Sequence, residues 1–125
     1  MGLFDFLKPK KNEFKDTLSQ LVNSYFPKGE KDINAGTEEL LYILNNSIDK
    51  SEAKVIFIQS FAMCQLSEKF DKEDLKAHLK GYCIQHFNEA QIGKFYGYLT
   101  ALTAAKMIHK KTPSEVIRRG DSYFW

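Results

Sequence analysis

The chain alternates short polar breaks with stretches in which apolar residues recur every third or fourth position, the spacing that lines one face of an α-helix. Between Asn12 and Phe26 that spacing is carried by Phe14, Leu18, Leu21, Val22 and Tyr25. Pro27 and Gly29 end the segment, and the polar stretch from Lys28 to Gly36 reads as a loop. Thr37 then reads as the N-cap of a helix carrying Leu40, Leu41, Leu44 and Ile48. A central helix is expected over about 50–68. It opens with Asp49-Lys50-Ser51-Glu52, a cap residue with a carboxylate three positions on, as in a capping box. Val55, Ile56, Phe57, Ile58, Phe61, Ala62, Met63 and Cys64 make it apolar nearly all round, the pattern of a buried helix.

A further helix begins at Asp71–Asp74, with acids in its first turn where the macrodipole favours them. Leu75, Leu79, Tyr82, Cys83 and Phe87 form its inner face. The next stretch, about 88–111, is the most telling. Gly93, Gly97, Ala101 and Ala105 fall every fourth residue, in one row along a helix. Ile92, Phe95, Tyr96, Tyr98, Leu99, Leu102, Met107 and Ile108 flank them. A ridge of small residues between large ones predicts close packing against another helix, within the domain or across a dimer. Thr112-Pro113-Ser114-Glu115 places a cap, a proline at N1 and a carboxylate at N3, so a last short helix is expected, ended by Gly120. The expected fold is all-α: one domain over 1–125, a bundle of five or six helices with no strand. A short apolar segment (1–10) precedes it and an aromatic tail (121–125) follows.

Composition agrees with one domain. The chain has 125 residues, 43% of them hydrophobic and 14% aromatic, enough for a sizeable core. The formal net charge of +2 is too small to point to nucleic acid or an anionic membrane by itself. Lys8, Lys10, Lys11 and Lys15 lie near the start, and Lys106, Lys110, Lys111, Arg118 and Arg119 near the finish. They would make a positive face if the fold joined them. Solvated lysines at helix C-termini account for them more simply, and nucleic-acid binding is disfavoured. Cys64 and Cys83 are the only cysteines, and Met1–Leu7 lacks the features of a secretory signal. Both thiols are therefore expected free and buried in a reducing cytoplasm. Ile92–Ile108 contains Lys94 and Lys106 and falls short of the ~20 apolar residues that cross a membrane.

Signatures of common chemistries are missing: no G-x-S-x-G elbow, no phosphate-binding G-x-x-x-x-G-K-[ST] loop, no H-E-x-x-H. His78, Cys83 and His86 form the one metal-like grouping, but their spacing matches no standard zinc pattern. An enzyme or metal protein built on these three residues stands as an alternative, and no cofactor is expected. Glu38, Glu39, Glu52, Asp71, Glu73 and Asp74 sit near predicted helix starts, where capping explains them. Both chain ends are apolar, although ends usually fray and are polar. Leu3, Phe4, Phe6 and Leu7 stand at one end, and Tyr123, Phe124 and Trp125 at the other.

The function this favours is a non-enzymatic protein-interaction module binding one protein partner. Small bacterial proteins of that class include immunity proteins, adaptors and inhibitors. Aromatic and arginine side chains dominate binding hot spots, so the expected contact residues are Tyr123, Phe124, Trp125, Arg118, Arg119, Phe4 and Phe6. The alternative is a membrane surface contacted through residues 2–11, apolar and then basic.

Overall fold

A computed structural model describes residues 25–67, 69–81 and 84–125. The expectations for the apolar segment before residue 11, for Phe4 and Phe6, for the helix over 12–24 and for Tyr82 and Cys83 lie outside the described residues. What is described is mostly helical: α1 (Glu30–Ile43), α2 (Lys50–Leu66), α3 (Lys72–Lys80) and α4 (Glu89–His109). Two three-residue 3-10 turns, Ile84–His86 and Pro113–Glu115, follow α3 and α4. The chain closes with a two-stranded antiparallel hairpin, β1 (Ile117–Arg119) and β2 (Ser122–Phe124).

The stretch read as a loop is in large part helix. Gly29, at φ 60°, turns the chain into α1 two turns ahead of Thr37. Asp32 in the first turn accepts the Lys28 N–H at 2.8 Å. Thr37 caps nothing: it is buried in mid-helix, and its hydroxyl donates to the Ile33 carbonyl at 2.7 Å. Gly36, which reads as punctuation, is a packing contact. A Cβ at that position would lie under 3.0 Å from three atoms of the Phe57 ring, so only glycine lets α2 approach α1 this closely. Asn45 and Asn46, at φ 55° and 58°, take the left-handed conformation that asparagine tolerates and turn the chain from α1 to α2.

α2 is central, with Ala53, Ile56, Phe57, Ile58, Ser60, Phe61 and Ala62 buried. It is not buried all round, because Lys54 and the apolar Val55 face solvent. Asp49 accepts the Glu52 N–H at 2.8 Å, but the Glu52 carboxylate does not reach back. It pairs instead with His86 Nε2 at 3.0 Å, which ties the start of α2 to the turn before α4. Full capping boxes open α3 (Asp71 with Asp74) and α4 (Asn88 with Gln91). α3 ends at Lys80 rather than reaching Phe87.

One buried cluster draws on all four helices. At its centre Phe26 lies 5.7 Å from Phe57 and 5.4 Å from Phe61, and Phe57 lies 6.2 Å from Tyr98, ring centroid to centroid. Burying each such side chain contributes about 1.5–3 kcal/mol.

The expected last helix is overturned. The Thr112 N–H does donate to Glu115 at 2.9 Å, but the helix stops after one 3-10 turn. Val116 is extended, and Ile117 pairs with Phe124, Arg118 with Tyr123 and Arg119 with Ser122. Gly120 and Asp121 form the two-residue loop. Gly120 has φ +62°, the positive value a type II′ hairpin turn needs at its first position. β-branched and aromatic residues flank that turn, and they favour strand over helix.

Candidate functional site: an uncovered groove on α4

α4 buries Ile92, Phe95, Tyr98, Leu99, Leu102 and Ala105. Its small-residue row does not stay with that face. Each four-residue step turns the row by about 40°, so it sweeps about 120° between Gly93 and Ala105. Only Ala105 reaches the core. Gly93, Gly97 and Ala101 instead form the floor of a groove of about 730 Å³. A Cβ built at Gly97 meets nothing within 4 Å, and one at Gly93 meets only the Lys72 side chain at 3.8 Å. Among the described residues, then, the row packs into the core only at its Ala105 end, and Gly93, Gly97 and Ala101 line the groove.

One wall of the groove is the last part of α1, with Glu39, Tyr42 and Ile43. The other is the hairpin, with Arg118, Tyr123 and Trp125. Arg118 and Tyr123 are directly paired across the strands, so their side chains share one face. That face latches onto the helices. The Tyr123 ring packs on Tyr98 at 5.1 Å, and its hydroxyl donates to Glu39 Oε2 at 2.9 Å. Arg118 Nε stands 3.2 Å from the same oxygen. Its guanidinium lies 3.6 Å from the centre of the Tyr42 ring, within cation–π range. The Glu39 side chain is only 14% exposed, so its charge is matched by Arg118 rather than by water. Burial, and then the charge of Glu39, hold the Tyr123 phenol well above its ordinary pKa, so it remains a donor. Trp125 closes the hairpin end of the groove, its ring 5.4 Å from that of His109. Lys94 and Asp121 add one charge of each sign to the lining.

The expected contact residues are therefore split. Arg118, Tyr123 and Trp125 line the groove. Arg119 and Phe124 are both exposed, and Phe124 is the cross-strand partner of the exposed Ile117. Arg119 lies 5.8 Å from the Phe124 ring. Glu39 and Tyr42 were missed. With α1 starting at Glu30 rather than Thr37, Glu39 sits in the third turn and faces the hairpin. The Gly120-Asp121 pair between alternating residues is the signal that would have placed them, since Gly-Asp is a hairpin loop sequence.

The basic residues near the finish do not form one face. Arg118 turns inward to Glu39, while Lys106, Lys110 and Lys111 line a separate cavity of about 240 Å³. Of the metal-like grouping, His86 is engaged by Glu52, and burial lowers the pKa of His78 on α3. Cys83 lies outside the described residues, and among those described no three His, Cys, Asp or Glu residues are placed to hold a metal ion. Cys64 is a free thiol 3.4 Å from Thr103 Oγ1, and burial pushes its pKa up, away from the reactive thiolate. No helix among the described residues is long and apolar enough to cross a membrane. Compared with protein-family models, curated proteins and solved structures, the chain matches none of them.

Proposed function

We propose that this chain is a protein-interaction module that receives a segment of one protein partner in the α4 groove. The observation that carries the reading is the open floor. Gly97 has free space where a side chain would go, yet glycine in a helix interior costs about 0.8–1 kcal/mol relative to alanine. A glycine left uncovered at that cost is accounted for if something outside the described residues approaches the backbone there. A partner segment would lie across Gly93, Gly97 and Ala101, between the Tyr42 and Tyr123 walls, with Lys94 and Asp121 to meet its polar groups. The volume suits a few side chains, comparable to the ~300–1,000 Å³ of ordinary binding clefts. The charges on the walls are largely spent on each other, so the groove offers apolar and aromatic surface, the composition of interaction hot spots. An immunity, adaptor or inhibitor role is one form such a module takes.

The test is capture from a lysate of the native host with wild type and with Gly97→Leu. The affinity tag belongs in the exposed Asn45–Ser47 turn, which leaves the groove and the hairpin free. Gly97→Leu fills the groove without meeting any atom of the fold at Cβ. The expected result is one stoichiometric protein held by wild type and lost by an equally well folded variant. Equal capture by both would remove the groove from the binding site.

A further inference from the structure

The C-terminal end of α4 borders a second cavity, about 240 Å³ in volume, which shares no lining residue with the groove. Lys106, Lys110 and Lys111 line it, together with Tyr25, Pro27 and Pro113. Among the described residues no acid lines it. Lys106 is held at the wall: its ammonium donates to Gln65 Oε1 at 3.2 Å and lies 4.8 Å from the centre of the Tyr25 ring. Neither Lys106 nor Lys110 has a carboxylate partner among the described residues. The Glu115 carboxylate stands 3.9 Å from the Lys111 ammonium, farther than a hydrogen bond, and Lys28 approaches the same oxygen at 3.7 Å.

The backbone adds a second observation. Lys110 ends α4 in the left-handed conformation at φ 58°, a position where glycine is usual and a side chain is strained. The Lys111 N–H closes the turn on the Ala105 carbonyl at 3.0 Å. A lysine kept at that position is accounted for if its ammonium is used. The helix end itself does not need three of them, because its dipole amounts to only about half a negative charge.

We propose that this cavity binds a phosphate monoester carried on a small aromatic body. Such a phosphate brings about −1.5 to −2 charges at pH 7 and three acceptor oxygens. Three flexible ammonium groups match that dianion better than they match a carboxylate with one charge. Bare phosphate would leave much of the volume unfilled. The Tyr25 ring and the pyrrolidine rings of Pro27 and Pro113 offer apolar walls for the body of the ligand.

Calorimetric titration of the full-length chain with phenyl phosphate, inorganic phosphate, benzoate and phenol tests this. Phenyl phosphate is expected to bind tighter than the other three. Lys110→Gln, at an exposed position, should weaken it about tenfold with an unchanged melting curve, the lower end for a hydrogen bond to a charged group. Lys54→Gln, exposed on α2, should leave the affinity unaltered. A tripeptide centred on phosphotyrosine separates two sources of the group. Tighter binding than phenyl phosphate assigns the site to a modified side chain of a partner, and weaker binding to a free small molecule. The proposal is overturned if phenyl phosphate does not bind, or if any of the other three compounds binds as tightly. Equal losses from Lys54→Gln and Lys110→Gln would overturn it as well.

Discussion

Two glycines in two helices should respond in opposite ways to the same substitution. Gly→Ala in a helix interior gains about 0.8–1 kcal/mol of intrinsic propensity. At Gly97 nothing opposes the gain, because a Cβ meets no atom within 4 Å. Gly97→Ala should therefore stabilise the fold by up to about 1 kcal/mol. At Gly36 the new methyl group would lie under 3.0 Å from three atoms of the Phe57 ring, where carbon atoms sit about 3.5–4.0 Å apart at contact. The ring cannot retreat freely. It is fully buried, stacked on Phe61 at 5.9 Å and bounded by Phe26 and Tyr98. Overpacking of this kind costs about 1–3 kcal/mol, and a rigid ring belongs at the upper end. Subtracting the propensity gain leaves Gly36→Ala destabilised by about 1–2 kcal/mol. Urea denaturation of the two variants measures both changes as midpoint shifts at constant slope. Phe57→Leu in the Gly36→Ala background should cost less than Phe57→Leu alone, a coupling that a double-mutant cycle isolates. A Gly36→Ala variant as stable as wild type would refute the crossing of α1 on α2. A destabilised Gly97→Ala would show that the ridge is covered after all.

Other consequences can be checked with the same assay. Asp32 is fully buried and accepts the N–H groups of Lys28 and Ser114 at 2.8 and 2.9 Å, tying α1 to the turn before the hairpin. Asp32→Ala leaves both donors without that acceptor and should cost about 2–4 kcal/mol; a loss under about 1 kcal/mol would mean water replaces the carboxylate. Tyr123→Phe removes the hydroxyl that donates to Glu39 and should cost about 1–2 kcal/mol, whereas no change would show that the hairpin latch rests on ring packing alone. Burial lowers the pKa of folded His78 below its ordinary 6.5. Well above 6.5 both states are neutral there and His78 adds no pH dependence. As pH falls from 6.5 through the lowered value, the unfolded chain takes up the proton first and stability is lost. His78→Gln should thus lose less stability than wild type between about pH 7 and about pH 5, and an equal loss would show that His78 protonates as easily folded as unfolded.

Much of the helical frame was legible in the sequence because its signals are local. The helix start at Asp71–Asp74 needs only residues a turn apart, and the 3.6-residue pattern needs only one helix. What was not legible depends on partners far along the chain. Gly36 and Gly97 look alike as letters. One is pressed by a ring twenty-one positions away and the other faces space, and no periodicity within α1 or α4 distinguishes them. Glu52 fits a capping box, but His86 competes for its carboxylate and wins. At the C-terminus two local signals conflicted. The Thr-Pro-Ser-Glu start argued for a helix and the Gly-Asp loop for a hairpin, and the structure honours each for only a few residues. The groove inherits both misreadings, since its walls are the early-starting α1 and the unexpected hairpin.

The most direct test of the interaction reading places a photo-crosslinking amino acid at Ala101, on the groove floor, and at Lys54, on the exposed side of α2, in the native host. One discrete protein adduct from position 101 and none from position 54 is the predicted result. No adduct at position 101, or the same products from both positions, would contradict the claim that the α4 groove receives a partner.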